Sequence, residues 1–184
     1  HRTVKRYFFC LNCGAGQFPL PGVTVVSATD PTDRDLILMD EIGFENFTFK
    51  KLGERIGSNE SSIYRYFESK HKLLVYLSSW YWSWIEYKIV FATINVQSAE
   101  TKLIECIKIL TQPIKEDVTF SHINEVLLDE ITRTESVRTY HVNDVDACEK
   151  KGFYDGYKNV VRRVSDLITE MNSSYGCPHM LVST

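Results

Sequence analysis

Chain breakers are scarce in this sequence. Five prolines and nine glycines serve 184 residues, and three of each fall within the first 31. That scarcity excludes collagen-like and low-complexity architectures and leaves long stretches free to be helical. No stretch approaches about 18 consecutive apolar residues, so no transmembrane helix is expected. A charged start followed by an apolar core and a small-residue cleavage site is also missing, so no secretory leader is read. The chain opens on His1 instead of Met, which reads as a fragment or a processed chain.

Cysteine is sparse and odd in number: positions 10, 13, 106, 148 and 177. Three of these lie far apart in helical-looking segments. Free thiols in a reducing cytoplasm are expected in preference to a disulfide scaffold. Cys10-x-x-Cys13 has the spacing of half a zinc ribbon or a redox pair. No second such pair follows and no histidines stand at ligand spacing, so no metal and no cofactor is expected. His122 and His141 are isolated. The acids Asp129-Glu130 and Asp144 with Asp146 read as solvated helix faces. There is no Gly-rich phosphate loop, nucleophile elbow or triad spacing, which argues against an enzyme and assigns no catalytic residue.

What is present is ordinary in bulk and uneven in detail. The chain is 43% apolar with a net charge of −3, enough for one or two domains with a core. From Thr48 to Lys72, however, six Lys/Arg face three Glu, a local +3, which leaves −6 on the remainder. A basic segment on an acidic body suits a module that meets an anion while the rest stays soluble.

Residues 1–30 hold a short β-like run, Val23 to Val26, and no helical period, and are read as an atypical arm. From Asp30 onward the texture is helical, and the expected class is all-α. "DPTD" places a capping Asp30 before Pro31 at the first helical position. Leu38, Met39 and Ile42 form a stripe that Gly43 is expected to end. Thr48 caps a second helix carrying Phe49, Leu52 and Ile56, closed by Gly57. Asn59 caps a third, very short one pinned by Ile63 and Phe67, and Ser69 a fourth, long one. Further on, Ser98 precedes a stripe of Leu103, Ile104, Ile107 and Leu110. Phe120, Ile123, Leu127 and Ile131 make another, and Phe153 to Met171 a long last helix.

Two short helices joined by a tight turn form a helix-turn-helix. Once Ile63 and Phe67 are packed, Glu60, Ser61, Ser62 and Arg65 are left outward, where a major groove can take them. Thr48 and Lys70 stand at helix N-termini, where backbone N–H groups favour phosphate. Tyr64 and Tyr66 can donate hydroxyls to phosphate oxygens.

The stretch "FENFTFKKLGERIGSNESSIYRYFESKHKLL" resembles the DNA-binding domain of the TetR family of transcriptional regulators, and is most similar to Bacteroidetes-type members. The features that carry the resemblance are Gly43-Phe44, Thr48, Leu52, Gly57 and the Ile63-Tyr64-x-x-Phe67-x-x-Lys70-x-x-Leu73 signature. The resemblance covers Leu36 to about Tyr87. It implies a cytoplasmic homodimer in which each recognition helix meets half of a near-palindrome. It also implies a C-terminal domain that binds an unknown small effector. By position, Thr48, Tyr64, Tyr66 and Lys70 match the backbone-contacting sites, and Asn59, Glu60, Ser61, Ser62 and Arg65 fall where bases are read. The domains expected are an arm over 1–30, the DNA-binding domain over 31–78, and a helical regulatory and dimerisation domain over 79–184.

There are departures from the family pattern. Gly53 replaces the usual Ala, at roughly 1 kcal/mol of helix propensity. Asp35 stands where a small apolar residue is expected, and an acid on the core face is costly unless paired. The chain stops after "MNSSYGCPHMLVST", as an apolar helix begins, which reads as a shortened dimer element. In "WYWSWIEY", the aromatics are expected mainly in the core, with Trp84 and Tyr87 as candidates for the effector pocket. The alternative function is a helical small-molecule or protein-interaction module without working DNA binding. A weaker third is a metal- or thiol-dependent enzyme built on Cys10 and Cys13.

Overall fold

A computed structural model describes residues 31–114, 124–136 and 152–183, with side chains from residue 34. The arm over 1–30, the Cys10/Cys13 pair, Phe120, His122, Ile123, His141, Asp144, Asp146 and Cys148 lie outside the described residues. Within them the chain is helical and no strand occurs. The elements are α1 (Pro31–Asn46), α2 (Phe49–Ile56), α3 (Glu60–Tyr64), α4 (Lys70–Thr93), α5 (Ala99–Thr111), α6 (Glu125–Thr134), α7 (Asp155–Met171) and α8 (Pro178–Ser183). No described helix is long and apolar enough to cross a membrane.

Caps set most of the helix starts. Thr48, Asn59, Ser69, Ser98 and Asn124 each take an extended backbone and accept a hydrogen bond from the N–H three residues on. Each satisfies one of the donors that a helix start leaves open. Gly43 breaks α1 instead of ending it: its φ of 74° interrupts the helix, and one more turn follows to Asn46. That turn carries Phe44 into the core, with Phe47 buried just beyond it.

One large apolar cluster runs through the described residues, from Leu36, Phe47 and Leu52 through Leu73, Leu77 and Ile85 to Leu128 and Val160. Burying this continuous surface is the main force holding the helices together. Helix α4 is its axis and packs against α5, α6 and α7, while α6 also meets α1. Helix α4 runs unbroken across the 78/79 boundary expected from the sequence.

Two stripes differ from expectation. On α5, Ile104 and Ile107 are exposed, and the fully buried residue is Cys106. On α6 the deepest residue is Leu128, with Leu127 only half-buried. Packing on two neighbours at once rotated each helix away from its most apolar stripe. Asp35 is indeed buried, at 3% exposure.

Candidate nucleic-acid interface

Thr48 starts α2 by accepting from Lys51 N at 3.3 Å. Its inward face is Phe49, Leu52 and Gly53. Gly57 closes the helix in the left-handed conformation (φ 68°), which an L side chain resists. The chain then turns through Ser58 and enters α3 at Asn59. Gly53 is explained here. A Cβ at that position would lie 2.6 Å from the Ser58 carbonyl oxygen. An Ala here would force the turn to shift, so the glycine suits the turn and is more than a weak helix former.

Asn59 and Ser62 are coupled. The Asn59 carboxamide oxygen accepts from Ser62 N at 2.8 Å and from Ser62 Oγ at 2.8 Å. Both side chains were expected among the base readers, yet here they hold each other and shape the helix start. Ile63 is buried under α3. Phe67 lies beyond the helix, half-buried against Tyr76, with ring centroids 5.5 Å apart.

The outward face is Ser61, Tyr64, Arg65 and Tyr66, all exposed, with Glu60 half-buried at its edge. Tyr64 is 51% exposed and rests edge-on against Phe49 at 5.0 Å. The ring is thereby oriented from below while half of it stays open. Arg65 is free of protein partners among the described residues.

The other cations of the segment fall into two groups. Arg55 forms a two-point ion pair with Glu41 of α1, its Nη2 donating to Oε1 at 2.9 Å. The guanidinium hydrogen bond holds the exposed Glu41 carboxyl below its usual range. Lys51 Nζ donates to Asn46 O at 2.9 Å. Lys70 Nζ donates to Phe44 O at 2.9 Å and Glu45 O at 3.0 Å, and sits 4.7 Å from the Phe44 ring centre. Its ammonium therefore ties the N-terminus of α4 to the last turn of α1, and one donor remains for an outside group. Lys50 is exposed and, like Arg65, uncommitted among the described residues.

Trp84 and Tyr87 do not come together. Trp84 is buried, with Lys88 Nζ 4.4 Å from its ring centre, while Tyr87 is 44% exposed and stacks on Phe91.

Two polar clusters join the body helices. Asp129 accepts from Tyr81 Oη at 2.6 Å and from Arg133 Nε at 2.6 Å. Expected on a solvated face, Asp129 is instead mostly buried. Only the i,i+4 spacing to Arg133 was legible, since Tyr81 arrives from α4 by packing. Burial, then the Asp129 carboxylate, push the Tyr81 hydroxyl well above its ordinary pKa. In the second cluster, the buried Glu86 accepts from Arg163 Nη2 at 3.1 Å and Asn159 Nδ2 at 3.1 Å, which joins α4 to α7. Among the described residues, no three His, Cys, Asp or Glu side chains gather as a metal site.

A capped helix pair with a tight turn, an exposed second helix and uncommitted cations defines a helix-turn-helix DNA-binding protein. Residues 36–77 match the family model described as bacterial regulatory proteins, tetR family. That segment is similar to the DNA-binding domain of this family, and the chain is a DNA-binding transcriptional regulator. Comparisons with curated proteins and with solved structures gave no match.

Proposed function

We propose that the protein is a ligand-responsive repressor, cytoplasmic, that binds a near-palindromic operator as a homodimer. The observation that carries the reading is the division of charges on the helix-turn-helix. Lys50 and Arg65 are uncommitted and exposed, and Ser61, Tyr64 and Tyr66 are exposed with them, while Arg55, Lys51 and Lys70 hold the fold together. In this reading Arg65, Ser61 and Glu60 meet base edges. Thr48, Lys50, Tyr64, Tyr66 and the spare donor of Lys70 meet phosphates, and Asn59 and Ser62 set the helix angle. Residues 79–184 form the regulatory and dimerisation part. Repression follows from occupancy, and release follows when an effector favours the conformation that fits the operator less well.

The test is a gel shift with the gene's own upstream DNA across a salt series, paired with the molar mass of the complex. A salt-sensitive, sequence-selective complex of two chains per site supports the reading. Binding that ignores sequence, or a monomeric complex, removes the operator-bound dimer.

A further inference from the structure

The last turn of α1 gathers lysines that its own sequence does not supply. Gly43 breaks the helix, and the turn after it holds Phe44, Glu45 and Asn46. The last carbonyls of a helix lack N–H partners, and the dipole makes that end negative, so cations are favoured there. Helix α1 has no basic residue in this turn. The cations come instead from two other helices. Lys51 of α2 donates to Asn46 O at 2.9 Å, and Lys70 of α4 donates to Phe44 O at 2.9 Å and Glu45 O at 3.0 Å. The Asn46 side chain donates back to Ile42 O at 2.9 Å, which fixes the turn across the Gly43 break.

An ammonium has three donors, so Lys51 keeps two and Lys70 keeps one. No acid pairs with either among the described residues. The turn stands beside the reading face: Phe49, the first residue of α2, packs edge-on against the exposed Tyr64 at 5.0 Å. Lys51 itself is exposed. Ordering a long exposed side chain costs rotamer freedom, which offsets much of what one exposed hydrogen bond returns to stability. The same order favours an anion, because a side chain already fixed loses less freedom when it binds. Lys50 has no such anchor among the described residues, so Lys51 is the preorganised cation of the two. We propose that Lys51 contacts a DNA phosphate through its remaining donors, and that Asn46 is its positioning residue.

The proposal rests on the operator-binding reading, and a salt series separates the two. Binding of the full chain to the gene's own upstream DNA and to an unrelated duplex is measured across it, with thermal melts beside. Each phosphate contact carries roughly 0.9 of slope in log affinity against log salt. Lys51→Met should lower the slope by about that much per bound chain on both duplexes, and Lys51→Arg should keep it. Asn46→Ala should weaken binding about three- to tenfold in the parent, the cost of ordering one long side chain at an interface. In Lys51→Met the same change should cost less than about twofold, because the chain it positions is gone. An unchanged slope in Lys51→Met, beside a salt-sensitive parent, would overturn the proposal and leave the operator reading standing. Asn46→Ala costing the same factor in both backgrounds would overturn the positioning role. No salt-sensitive binding by the parent would overturn the operator reading and this proposal with it. If Lys51→Met did not fold, Lys51→Gln, which keeps an amide donor for the Asn46 carbonyl, reads the same slope.

Discussion

Six cations lie between Thr48 and Lys72, and what already holds each head decides what it can do next. Arg65 has no partner among the described residues and sits at the end of α3. Arg65→Ala should cost operator binding about 1–3 kcal/mol and relax preference at one base position. Binding to a panel of single-base operator variants checks this. Lys70 is different, because its ammonium also bonds the carbonyls of Phe44 and Glu45. Lys70→Ala should therefore lower the melting temperature as well as weaken binding to all sequences alike, and thermal melts beside the gel shift would show both. Tyr81 titrates in the opposite sense from a paired acid. Its folded pKa is raised by burial and by Asp129, so the stability it contributes is fully present below about pH 10, the ordinary tyrosine value. That stability is lost as pH rises above it, when the unfolded chain ionises first. The stability gap between the protein and Tyr81→Phe should thus shrink from pH 9 towards pH 11 in paired denaturant melts.

At the scale of elements, two glycines record close approach of backbones. At Gly53 a Cβ would meet the Ser58 carbonyl oxygen at 2.6 Å, and at Gly156 it would meet Ser83 N at 2.7 Å and Trp82 C at 2.9 Å. Alanine is the better helix former at both, by about 1 kcal/mol. Both substitutions should nonetheless destabilise, by about 1–3 kcal/mol, because a rigid backbone must give way. Gly156→Ala should act by prising α7 from α4, where Glu86, Arg163 and Asn159 also join. Chemical denaturation of the two variants checks the sign, and stabilisation by either would show that its backbone gap relaxes freely. The sequence showed α2 and its closing Gly57 but read Gly53 only as a departure. Nothing local to position 53 reveals that residue 58 turns back onto it.

For the whole molecule, the net charge of −3 says little about DNA, because affinity depends on the cations that face it. Each phosphate contact removed should lower the slope of log affinity against log salt by roughly one. Lys50→Ala should reduce that slope by about one and leave stability unchanged, since its ammonium holds nothing among the described residues. A filter-binding salt series beside a thermal melt measures both. The continuous apolar cluster joins the helix-turn-helix to the body, and α6 touches both α1 and α4.

Most of the helices, four of their five side-chain caps and the reading block follow from the amino-acid sequence alone. Those depend on short-range spacing: a capping oxygen three residues from its donor, apolar residues at three and four, a glycine where the turn goes left-handed. It also placed Ile63, Phe67 and Leu73 as the anchors of that block. Tertiary structure alone decided which polar groups were already spent. Lys70 on the carbonyls of α1, Tyr81 on Asp129 and Arg163 on Glu86 span 26, 48 and 77 positions. The rotation of α5 that left Ile104 and Ile107 outside was decided the same way. Contacts at such separations arise from how helices pack, and helix packing is set by the whole burial surface and not by any one stretch of residues.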